Sequence, residues 1–72
     1  MSADIHLLDV VALTVDMPRK KLCRGQVGTV VELLGAGDYE VEFSGDDGRT
    51  YAQVAISGKR LMVLHYQPSQ AA

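Results

Sequence analysis

A chain of 72 residues supports one domain, and at 47% apolar content it is too hydrophobic for disorder. Its formal net charge of −2 argues against a surface built as a whole to collect polyanions, and it has no apolar run of the ~18 residues that a membrane-spanning helix needs. One cysteine, Cys23, and two histidines exclude an internal disulfide and a structural zinc framework.

Residues 1–6 read as a flexible N-terminal lead, 7–65 as the globular domain, and 66–72 as a flexible, Pro-containing tail. Met1–Leu8 lacks the basic start and apolar stretch of an export signal. Together with a free thiol, this predicts a cytoplasmic protein. The first strand is Val10-Val11-Ala12-Leu13-Thr14-Val15, with Val11, Leu13 and Val15 on one face and Val10, Ala12 and Thr14 on the other. Its β-branched content and the following Pro18 argue against a helix. Pro18–Gly25 is a loop that carries four of the seven basic residues, Arg19, Lys20, Lys21 and Arg24, with Leu22 expected to tuck into the core rim.

Gln26–Leu34 is the second strand. Gly28 within it marks a bend or a place where another backbone comes close. After the hairpin loop Gly35-Ala36-Gly37-Asp38, Tyr39–Ser44 alternates strictly, with Tyr39, Val41 and Phe43 inward and Glu40, Glu42 and Ser44 outward. Gly45-Asp46-Asp47-Gly48 is a second tight turn. The fourth strand, Arg49–Ile56, turns Ala52, Val54 and Ile56 inward; Ser57–Arg60 makes one turn of 3₁₀ helix, and Leu61–Leu64 closes the sheet.

Five short strands, tight turns and one long first loop predict an all-β fold. The expected form is a small five-stranded SH3-like barrel with its long loop between strands one and two, because curling protects the edges of so small a sheet. The expected core is Val11, Leu13, Val27, Val31, Val41, Phe43, Val54, Ile56, Leu61 and Val63. A barrel has one interior, so the apolar residues of opposite phase are left over. Val10, Ala12, Val30, Leu34, Met62 and Leu64 are therefore the candidate interface. A homo-oligomer, most simply a two-fold dimer, would cover them, as would Leu7 and Leu8 folded back across the outside. The marginal core of so small a domain favours the dimer.

Chemistry-bearing residues are sparse. The cation cluster Arg19, Lys20, Lys21 and Arg24 is the candidate binding loop, suited to phosphates. Only Tyr51 and Tyr66 remain as exposed aromatics for base stacking. Glu32, Glu40 and Glu42 read as solubilising charges on an outer strand face, and Asp46-Asp47-Gly48 as a turn rather than a calcium loop, since the later ligand positions are missing. His6 and His65 meet only if the termini do. Cys23 has cationic neighbours and no histidine beside it to act as a base. No catalytic set, cofactor or metal is expected.

From Leu7 to Leu64, the blocks Leu8-Asp9-Val10-Val11-Ala12-Leu13, Met17-Pro18, Arg24-Gly25-Gln26-Val27-Gly28-Thr29-Val30-Val31-Glu32, Tyr39-Glu40-Val41-Glu42-Phe43 and Asp47-Gly48-Arg49-Thr50-Tyr51 resemble the bacterial DUF4926 family. Its members are small, often stand-alone proteins with no established activity. Some look like neighbours of toxin-type genes, which implies an antitoxin or immunity role. A looser resemblance, in Gly25–Val30, is to the KOW segment of transcription and ribosomal proteins. The reading is a non-enzymatic module acting through protein–protein contacts. The alternative is a nucleic-acid-binding module that uses the basic loop.

Overall fold

The computed structural model describes residues 4–68. These form five strands: β1 (Val10–Leu13), β2 (Val27–Gly35), β3 (Asp38–Ser44), β4 (Thr50–Ser57) and β5 (Leu61–Val63). Single 3₁₀ turns sit at Pro18–Lys20 and Gly58–Arg60. All pairings are antiparallel, in the order β4-β3-β2-β1-β5. The all-β expectation holds.

The sheet is strongly rolled, and its last connection shows why. In a flat sheet β4 and β5 would lie four spacings apart, about 19 Å. The chain from Ser57 to Leu61 spans at most ~14 Å even fully extended, and here it is wound into a 3₁₀ turn. Edge strands β4 and β5 must therefore approach each other. Ile56 and Leu61 accordingly belong to one core cluster with Val11, Leu13, Val30, Val41 and Phe43. No ladder joins β4 to β5, so hydrogen bonds do not close the roll into a barrel. β4, the sequence Thr-Tyr-Ala-Gln-Val-Ala-Ile-Ser, is left as an uncharged edge.

The inward faces of β1, β3, β4 and β5 follow the expected alternation. Val11, Leu13, Val41, Phe43, Ile56 and Leu61 are buried, with Val54 and Val63 half-buried against them. β2 has the opposite phase from that expected. Val30 is fully buried, whereas Val27 is 46% exposed and Val31 only half-buried. The cause is Gly28, a buried inward position with no side chain to announce it. A Cβ there would lie 2.7 Å from Val41 Cγ1 and 2.8 Å from the Glu42 carbonyl oxygen, so β3 packs directly on its backbone. Val31 and Leu34 then fall at register shifts, each an extra residue against β3.

Ile5, placed by sequence in the loose lead, is buried in the core. Leu22 is buried as expected. Residues 1–3 and 69–72 of the expected flexible ends lie outside the described residues.

Candidate binding surfaces

The outer face of β1 and its neighbours gathers one apolar surface. Ala12 pairs with Val27 of β2 on one side and Met62 of β5 on the other. The row Met62–Ala12–Val27 therefore crosses three strands. Met62 is 52% exposed, while Ala12 is buried beneath its two longer neighbours. One step along β1, Val10 pairs with Thr29, and its carbonyl accepts from the Leu64 N–H at 2.9 Å. A cleft at this end is lined by Leu8, Val10, Leu64, Tyr66 and Pro68 together with Asp9 and His65.

Four of the six candidate interface residues, Val10, Ala12, Met62 and Leu64, are thus side by side. Val30 is not among them. It is core, because Gly28 shifts the phase of β2, and Val27 takes its place on the outer face. Leu34 is exposed but belongs to the far end of β2. Seven residues from Val27, it stands roughly 23 Å along the strand.

Leu7 and Leu8 do not cover this surface. Leu8 is 70% exposed and lines the cleft beside Val10 and Leu64, so it enlarges the surface, and Leu7 is also exposed. Both sit in a turn closed by the Asp9 N–H donating to the His6 carbonyl at 3.1 Å, and the His6 N–H donates to Asp9 Oδ2 at 2.8 Å. Leu8 has φ of 71°, left-handed backbone that a bulky residue rarely adopts. Its N–H donates to the Val30 carbonyl, and the Val30 N–H donates to the Asp9 carbonyl, which lengthens the β1–β2 ladder and holds the turn in place.

The basic loop is a folded knot. Met17 and Leu22 exchange backbone hydrogen bonds of 2.8 and 3.1 Å, and Lys20 N–H and Lys21 N–H donate to the carbonyls of Met17 and Pro18. Buried Leu22 pins it to the core, and Asp16 Oδ1 accepts from the Arg24 N–H at 2.8 Å. Arg19, Lys20, Lys21 and Arg24 all project from it, exposed. The structure adds two cations that are distant in sequence. The Thr14 N–H donates to the Arg60 carbonyl, and Arg60 lines a cleft with Asp16, Met17, Pro18, Arg19 and Lys20. Exposed Lys59 precedes it. No periodicity reports this neighbourhood; only the roll of the sheet creates it.

The remaining candidates stay apart or bind their own backbone. Glu32 and Glu40 face each other across β2 and β3, while Glu42 lies opposite Thr29 and Gln53. Asp47 Oδ1 accepts from the Arg49 N–H, which is turn chemistry. His6 Nδ1 lies 3.7 Å from Asp9 Oδ2, and His65 lines the same cleft as Asp9, so the roll brings the two histidines to one end. Among the described residues no three His, Cys, Asp or Glu side chains are grouped to hold a metal. Cys23 is exposed, and its N–H donates to Gln26 Oε1. Tyr51, at a register shift in β4, accepts a 3.2 Å hydrogen bond from Gln26 Nε2.

The family model for a domain of unknown function, DUF4926, matches residues 7–63. The chain belongs to the DUF4926 family. The matched span of this DUF4926 domain runs from exposed Leu7 to the end of β5 and includes the basic knot and the outer apolar row. No curated protein and no solved structure matches the chain. Among the described residues no helix is long and apolar enough to cross a membrane.

Proposed function

We propose that this DUF4926 domain is a non-enzymatic binding module that works through protein–protein contacts, and that its outer apolar surface pairs with a second copy of itself. One observation carries the reading. The N-terminal segment that would have shielded the β5-β1-β2 face instead adds exposed Leu8 to Met62 and Val27. A contiguous apolar surface of this kind is characteristic of an interface. Met62, Ala12 and Val27 carry no charge, so a two-fold axis through that row would bring apolar groups together. An antitoxin, immunity or accessory role would be a setting for such a module.

Sedimentation equilibrium at micromolar concentration tests the pairing. The expected species is a dimer of the 7.8 kDa chain, reduced to monomer by Met62→Asp. A clean monomer for the unaltered protein would overturn the self-association.

A further inference from the structure

Six of the seven cations gather here: Arg19, Lys20 and Arg60 line one cleft, Arg24 lines a second that shares Asp16, and Lys21 and Lys59 are their chain neighbours. They and Asp16 give this rim a formal charge of +5. Arg49 and the other eight carboxylates leave the rest of the chain at −7, which together make the net −2. None of the six pairs with a carboxylate within 4.0 Å among the described residues, where the ion pairs are His6–Asp9 and Arg49–Asp47. Like charges brought together and left unpaired cost stability. The knot that carries four of them is nevertheless fixed by four backbone hydrogen bonds and buried Leu22, and Lys21 is held at φ of 59° in left-handed backbone. The backbone that presents these cations is thus already ordered, and binding has only their side-chain rotamers left to fix.

We propose that this rim, which adjoins the apolar face at Ala12 and Met62, docks a short acidic segment of a partner protein. Charge complementarity selects an anion, and two observations select a short acidic peptide over a nucleic acid. First, the field reverses beyond the rim. The rest of the chain carries −7, so a phosphate strand long enough to leave the rim meets like charge, whereas a brief acidic run ends before it. Second, the cleft offers apolar contact rather than stacking. Its apolar lining is Met17 and Pro18. Of the four aromatic residues, Phe43 is buried, Tyr39 packs on the core, Tyr51 is held by Gln26, and Tyr66 lines the cleft beside Leu8 and Val10, outside the rim. Acidic side chains flanking an apolar one match a cationic rim around Met17 and Pro18.

Fluorescence anisotropy with a labelled peptide of glutamates around a central leucine tests this against labelled oligothymidylate of equal formal charge. The peptide should bind more tightly than the oligonucleotide. Arg60→Glu should weaken it by about tenfold or more, the equivalent of ~1.4 kcal/mol. Arg49→Glu makes the same change of charge outside both clefts and should leave binding within about twofold of wild type, at ionic strengths that screen remote charges. Absence of peptide binding would overturn the proposal. So would equal losses from both variants, which would mark a net-charge effect. Tighter oligothymidylate binding would reassign the rim to nucleic acid and overturn it as well. Circular dichroism of each exposed-site variant confirms that the fold is retained. A Leu8→Asp background, altered on the apolar surface but outside both rim clefts, separates the outcome from self-association, because the rim should keep its affinity in the monomer.

Discussion

Replacing Gly28 with alanine tests the packing of β2 on β3 directly. The added Cβ would meet Val41 Cγ1 at 2.7 Å, the Glu42 carbonyl oxygen at 2.8 Å and Phe43 Cδ2 at 3.0 Å. None of these neighbours can easily give way. Val41 and Phe43 are fully buried, and Glu42 is held in the ladder opposite Thr29. Overpacking of this kind costs about 1–3 kcal/mol, and removing glycine's extra freedom in the unfolded chain returns ~0.4–1 kcal/mol. The net expectation is a loss of about 1–2 kcal/mol, from a total stability of roughly 4–11 kcal/mol for a chain this long. That should lower the melting temperature by about 4–16 °C. Gly45→Ala is the matched control, since its Cβ would meet only Asp47 Oδ1, at an ordinary 3.4 Å. Thermal and urea melts of both variants, followed by circular dichroism, make the comparison. A Gly28→Ala protein as stable as Gly45→Ala would refute both the Gly28–Phe43 register and the inward phase of β2.

Phe43→Ala should cost about 3–5 kcal/mol, and a urea melt should show cooperative unfolding weakened or absent. Ala36 has φ of 54° before Gly37 at 81°, both positive as a type I′ hairpin turn requires. Ala36→Asn should therefore raise stability by roughly 0.5–1 kcal/mol, read as a higher urea midpoint. Dialysis against a chelator should leave the melting curve in place; a large downward shift would reveal a metal requirement.

The strands were legible wherever side chains alternate. Tyr39-Glu40-Val41-Glu42-Phe43 declares its two faces, and Ala52, Val54 and Ile56 do the same on β4. The phase of β2 was hidden because glycine occupies an inward position and has no hydropathy to contribute. Val27, Val31 and Leu33 then look like the inner face, and the register shift at Val31 blurs the distinction further. Ile5 precedes the strand pattern and is separated from it by exposed Leu7 and Leu8 and by Asp9, so no buried period includes it; a long-range contact with the region of Gly58 gives it a place in the core. The basic loop was visible as a local run of charge. Its union with Lys59 and Arg60 depends on the roll that returns the Gly58–Arg60 turn to the end of β1, and local patterning carries no signal of that.

The open edge of β4 has a consequence for handling the protein. Eight consecutive residues without charge or proline, tied down by one ladder only, match the composition that favours intermolecular strand stacking. Heating frees this segment, and its accretion then competes with refolding. Melts should accordingly lose reversibility as concentration rises, while the midpoint of the first scan at low concentration stays put. A gatekeeping lysine at exposed Gln53, on the solvent face of that edge, should restore recovery on cooling.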